Sequence, residues 1–193
     1  SWLFAQQKEY GKAFIQEKAI FMRSPGDLTG IKQLGYAALN DQQPIMAKTI
    51  FSFVLETAVD PRERLAAHLE ILRLDRSMKQ RPAQEIELSY TELIQQYRAF
   101  DLTQLNLDYA HFLAFDLDQS QKAIDLLNRA AERAEKSYAE GRLRLLLGDI
   151  LVFNEQYNQA LVNYALVQSV LKDDDLAQEA KFKEAQTSYF RGD

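Results

Sequence analysis

The sequence contains no cysteine. Disulfides and thiol nucleophiles are thereby excluded, and structural zinc loses its usual ligands. Four prolines and seven glycines are few for 193 residues, and β-branched clusters are sparse, so strands bounded by turns find little support. No window approaches 18 uninterrupted apolar residues, which excludes a membrane-spanning helix and direct membrane insertion. No secretory leader is visible. The chain opens "SWLFAQQKEY", without Met and with apolar residues at once. This opening reads as a cut inside a longer repeat protein, and the compartment, cytoplasmic or periplasmic, stays open. A surplus of positive charge is also missing. Twenty-three Lys and Arg stand against 28 Asp and Glu, a net charge of −5. Nucleic acid as a partner is disfavoured, since binding it takes a basic stripe, and the same balance disfavours anionic membrane surfaces.

What is present is helical periodicity, almost throughout. Ile31, Leu34, Ala38 and Leu39 fall on one helical face, as do Ile124, Leu127, Ala130, Ala131 and Ala134. Pro44, Pro61 and Pro82 each open an apolar-periodic run, where the missing N–H costs no intrahelical bond. Pro25 follows one. Asp60, Asp101, Asp118 and Asp175 sit just before helical runs as candidate caps, and Asp175 with Gln178 fits a capping box. Eleven helical segments result: 1–6, 9–23, 28–40, 44–59, 61–79, 82–99, 102–116, 119–137, 139–154, 157–171 and 175–190.

Short alternating helices call for a self-comparison. A small residue recurs early in every second helix: Ala13, Ala47, Ala83, Ala123 and Ala160, spaced 34, 36, 40 and 37 apart. Twelve residues before four of these stand Gly35, Ile71, His111 and Gly148. Two of the four are the small residue that a close helix crossing needs. The Ile71 mismatch points to an insertion in that inter-helix turn. Leu34 and Leu147 precede the two glycines, and Tyr10 and Tyr157 stand three residues before their alanines.

This pattern resembles the tetratricopeptide repeat (TPR), a helix–turn–helix unit of roughly 34 residues. "LLLGDIL" supplies Leu147, Gly148 and Leu151, and "YNQALVNY" supplies Tyr157, Ala160 and Tyr164. Leu34, Gly35, Ala38, Ala47 and Phe51 match in the same way, and "YGKAFIQE…SP" supplies Tyr10, Ala13 and Pro25. Residues 61–99 match loosely, with His68 and Leu69 in place of a Leu-Gly pair. The C-terminal stretch, in which Ala185 takes the small-residue place, is also similar to a segment of large bacterial TPR proteins. The resemblance implies an all-α, right-handed superhelical solenoid of antiparallel helix pairs. Half-repeats at 1–25 and 175–193 would flank repeats at 28–61, 62–101, 102–138 and 141–174. Gly148 is expected to meet Ala160 at a close crossing.

No HExxH, P-loop, GxGxxG or paired-cysteine motif occurs. His68 and His111, the only histidines, fall on inner positions of first helices and read as packing residues. The run Asp173–Asp175 lacks the spacing and terminal Glu of an EF-hand and reads as a cap. Carboxylates are plentiful but scattered. The expectation is therefore a non-catalytic chain with no cofactor and no metal.

The resemblance also implies a concave face lined by first helices that binds a peptide or protein. Projection places Lys32, Tyr36, Leu39 and Asn40 there, with Asp108, Phe112 and Phe115. Arg142, Leu145, Asp149, Val152 and Phe153 follow, then Phe182, Gln186 and Tyr189. Aromatic anchors with a few charges suit recognition. TPR proteins that grip acidic chaperone tails use Lys and Asn at such places. Tyr36, Asp108, Phe112 and Asp149 fit that poorly and favour a neutral or basic segment. A groove of this kind is expected to expose Phe112, Phe115 and Phe153 in one continuous surface, and burial of all three would exclude it. The alternative is a structural spacer that self-associates through its open ends.

Overall fold

A computed structural model describes residues 2–6, 8–134, 137–172 and 174–192. Among them there are eleven α-helices and no strand. The chain forms two compact units, residues 1–100 and 101–193.

The first unit holds α1 (Trp2–Gln6), α2 (Tyr10–Arg23), α3 (Thr29–Asn40), α4 (Pro44–Thr57), α5 (Pro61–Ser77) and α6 (Ala83–Gln96). Its core joins Phe14, Ile31, Leu34, Ile50, Phe51 and Val54. In the second unit α7 (Thr103–His111) runs on into a π-helical turn (Phe112–Asp116). α8 (Ser120–Arg133), α9 (Tyr138–Phe153), α10 (Tyr157–Leu171) and α11 (Asp175–Arg191) follow. Leu105, Leu113, Leu127, Leu147, Ile150 and Val167 are buried there. Each such side chain contributes roughly 1.5–3 kcal/mol.

The starts obey the local rules with small shifts. Pro44 and Pro61 are first helical residues, and Asp60 caps α5 by accepting a 2.9 Å bond from the Arg62 N–H. Pro82 precedes α6 as its cap residue. Asp174, not Asp175, caps α11, accepting from the Leu176 N–H at 2.9 Å. Asp173 lies outside the described residues. Asp118 is no cap; it occupies the turn before α8 with φ 54°.

Five turns join the helices in pairs, and each carries one left-handed, non-glycine residue: Lys8, Gln42, Lys79, Asp118 and Glu155, with φ between 52° and 60°. In four of them a backbone N–H reaches back five residues: Glu9 to Phe4, Gln43 to Ala38, Gln80 to Asp75 and Gln156 to Leu151. This is the Schellman pattern that satisfies the last carbonyls of a helix. The α7–α8 turn differs, because Gln119 N–H reaches six residues back to Leu113. The π-helical turn has inserted one residue.

These turns explain both mismatches in the repeat register. Counting back past the inserted residue, the small residue of α7 is Ala110, which is fully buried, and His111 is exposed. The α5–α6 loop spans five residues instead of three, as the Ile71 mismatch implies. The second-helix register therefore moves as well. Ala13, Ala47, Ala123 and Ala160 stand three residues after the first residue of their helices and are wholly buried. The equivalent residue of α6 is Ile86, not Ala83, and Ala83 stays partly exposed. Leu72 holds the place in α5 that Gly35 and Gly148 hold in their helices, each seven residues before the left-handed one. Two large side chains replace two small ones, and α5 and α6 approach each other far less than α3 and α4 do.

The glycines also have a different neighbour from the one expected. A β-carbon on Gly148 would lie 2.4 Å from Tyr164 Cε1, and one on Gly35 would lie 2.9 Å from Phe51 Cζ. The missing side chain makes room for the aromatic ring of the second helix, not for Ala160. Tyr164 and Phe51 stand four residues after their buried alanines, so the alanine lets the helix approach and the ring fills the space.

Candidate functional site

The first helices carry the residues projected onto a binding face, and the structure divides them. Phe112 is only 2 % exposed and Leu145 only 8 %. Both belong to the core and leave the candidate set. For Phe112 the cause is the π-helical turn, in which each turn takes one more residue than an α-helix. The outward face passes from Asp108 through His111 to Phe115, while Phe112, Leu113 and Ala114 turn inward. For Leu145 the cause is crowding. α9 is packed by α7 and α11 as well as by α8 and α10, so little of its surface reaches solvent.

Phe115 and Phe153 remain exposed, 41 % and 57 %, and they come together. Their ring centroids are 5.2 Å apart in an edge-to-face arrangement. His111 joins them, its ring 4.7 Å from that of Phe115. Such geometry suits aromatic quadrupoles and presents three ring surfaces to solvent. His111 was expected to pack inside. Residues 111 and 115, four apart, share one face of an α-helix; His111 reads as inward only from the repeat spacing, which gives it the small-residue place that the inserted residue assigns to Ala110. Exposed acids continue both chains beyond the rings: Asp116 and Asp118 after Phe115, and Glu155 after Phe153.

The charged candidates are engaged within the protein. Arg142 donates to Gln104 Oε1 at 2.7 Å, and Gln104 Nε2 donates to Asp108 Oδ1 at 3.2 Å. The Lys183 ammonium donates to both oxygens of Asp149 at 2.9 Å, and the Tyr164 hydroxyl donates to Asp149 Oδ1 at 2.8 Å. Burial and then the Asp149 charge push the Tyr164 phenol far above its ordinary value. Asp149 thus ties α9, α10 and α11 together. In the first unit Lys32 pairs with Glu63. Tyr36 leans edge-on against Phe51 at 5.2 Å, its hydroxyl facing the Glu70 carboxylate. Burial, then the Glu70 charge, raises its pKa. Phe182 and Tyr189 on α11 are the most exposed of the projected aromatics, and Phe190, which was not projected, is exposed beside Tyr189 at 6.2 Å.

Among the described residues no group of three or more His, Asp or Glu could hold a metal ion, and no helix is long and apolar enough to cross a membrane.

Solved structures of similar architecture decide the fold. One is a protein of Podosopora anserina, kinesin light chain-like, built of nearly identical TPR-like repeats. It shares 17% identity at a TM-score of 0.60, covering 86% of this chain and 89% of that one. The fold is TPR-like. A variant form of the same protein matches equally. YrrB, a TPR protein with an unusual peptide-binding site, shares 15% identity at a TM-score of 0.52, over 93% of this chain and 84% of that one. No family model and no curated protein matches the sequence. The Gly148–Tyr164 and Gly35–Phe51 contacts lie within the helix pairs α9–α10 and α3–α4.

Proposed function

We propose that the chain is a non-catalytic binding module that holds a neutral or basic apolar segment of a peptide or protein partner against the His111–Phe115–Phe153 cluster. The observation that carries this reading is the pairing of two large, solvent-facing aromatic rings on adjacent first helices, α7 and α9. Aromatic side chains of this kind are typical recognition anchors. Charge supports the preference. Residues 101–193 hold sixteen acidic and ten basic side chains, so this unit draws cations more readily than anions. YrrB, named for a peptide-binding site, supports the type of ligand by analogy of fold alone.

The test is selection from a peptide library against the protein and its Phe115→Ala/Phe153→Ala variant. The expected ligands combine apolar residues with Lys or Arg, bind more weakly at high salt, and lose most of their affinity to the variant. Selection of acidic peptides, or equal binding to the variant, overturns the proposal.

A second reading rests on α11, which leaves Phe182, Tyr189 and Phe190 uncovered. In that reading the helix docks against another copy and the chain acts as a spacer. Sedimentation equilibrium distinguishes the two. A Phe182→Ser/Tyr189→Ser variant lowers the mass only if the self-association is real.

A further inference from the structure

The α5–α6 pair does not close, and the space between its helices is a cleft of about 230 Å3. Its cause is the substitution of Leu72 and Ile86 for the small residues that let other pairs meet. Leu72 and Leu93 are buried and, with Ile71, form an apolar floor. His68, Glu92 and Gln96 form a polar rim. Arg81 also borders the cleft, but its charge is committed. It donates to Ser89 Oγ at 2.9 Å and lies 3.7 Å from Asp75 and 3.6 Å from Glu85. The His68 ring packs edge-on against Tyr97 with centroids 6.4 Å apart, and its Nδ1 is shielded from solvent without a hydrogen-bond partner, which leaves Nε2 as the nitrogen open to a ligand.

Size and chemistry limit the occupant. An apolar cavity of roughly 150 Å3 admits benzene, so this cleft has room for a two-ring aromatic. An anion would meet Glu92 and find Arg81 already paired. A cation would lose its hydration against Leu72 and Leu93. A neutral ring that donates one hydrogen bond suits both floor and rim. We infer that the α5–α6 cleft is a binding site for an indole-type group, its ring on Ile71, Leu72 and Leu93 and its N–H donated to His68 Nε2. The group is either a free small molecule or a tryptophan side chain of a partner. This site is separate from the aromatic cluster of the second unit.

The experiment is an NMR titration of the full chain with indole, read at the methyl groups of Ile71, Leu72 and Leu93. Saturable shifts are expected. His68→Phe keeps the ring shape and removes the acceptor, and should weaken binding about fivefold or more. Toluene, which has no donor, should bind more weakly than indole. Ser89→Trp fills the cleft and should abolish the shifts, with its amide spectrum confirming the fold. Phe115→Ala/Phe153→Ala should leave them unchanged, so failure here and failure of the peptide reading are distinguishable. A second titration uses the peptide Gly-Ser-Trp-Ser-Gly. Binding of both probes assigns a partner's tryptophan, and binding of indole alone assigns a small molecule. Absence of saturable shifts, or unchanged affinity in His68→Phe or Ser89→Trp, overturns the inference.

Discussion

The ring of Tyr164 occupies the space where a side chain on Gly148 would begin, 2.4 Å from an added β-carbon. The tyrosine is itself tied down, its hydroxyl bonded to Asp149 at 2.8 Å. Neither partner can yield without loss. Glycine inside a helix normally costs about 1 kcal/mol relative to alanine, so Gly→Ala at an open helical site stabilises. Gly148→Ala should instead destabilise, by roughly 1–3 kcal/mol from overpacking. Gly11→Ala is the control. Its β-carbon would meet only Met46 Cε at 3.9 Å, and the change should stabilise by up to about 1 kcal/mol. Urea melts of both variants check the opposite signs.

The left-handed turn residues are a second reservoir. Gln42 and Glu155 hold φ of 57° and 59° with a β-carbon present, a conformation that costs roughly 1–2 kcal/mol outside glycine. Gln42→Gly and Glu155→Gly relieve this strain while adding freedom to the unfolded chain. A net gain of about 0.5–1 kcal/mol each is expected, measured as a higher melting temperature. A loss would mean that the side chains contribute contacts beyond their turns.

His68 makes stability pH-dependent. Burial first, and the Arg64 charge second, push its imidazole below its ordinary value. The unfolded chain then binds the proton more readily than the folded one. The contribution is fully present above the unfolded pKa, near 6.5, and is lost as pH falls through the folded value. Between about pH 7.5 and 5 the wild type should lose more stability than His68→Phe. Identical pH profiles for the two proteins would contradict this.

Asp149 anchors α11 through Lys183. The pair is partly exposed, so Lys183→Met should cost no more than about 1 kcal/mol globally. Its effect is expected to be local. Amide exchange within 175–191 should accelerate while α9 keeps its protection. Tyr164 adds an alkaline signature. Its raised phenol pKa means that stability is full below about pH 10 and falls as pH rises further, and Tyr164→Phe should remove that part of the decline.

Much of the architecture is legible from the residues alone, because it rests on local chemistry. Apolar spacing marks the helices, Pro44 and Pro61 mark their starts, and Gly35 and Gly148 with Ala47 and Ala160 mark two crossings. The site is less legible. Phe112 and Phe115 look equivalent in an α-helical projection, yet one is core and the other surface. Ala83 looks like a crossing alanine, yet Ile86 holds that place.

The sequence by itself determined an all-helical chain of paired helices, since periodicity, proline placement and small-residue spacing act over a few neighbouring residues. Only the tertiary structure decided which aromatic rings face solvent, which carboxylates are already paired, and where two helices fail to close. The facing of Phe112 and His111 and the open α5–α6 pair depend on one inserted residue at the π-helical turn and two in the α5–α6 loop. Each shifts the residues of one helix relative to the helix it packs against. No local pattern registers a shift of that kind, because it is defined only between elements.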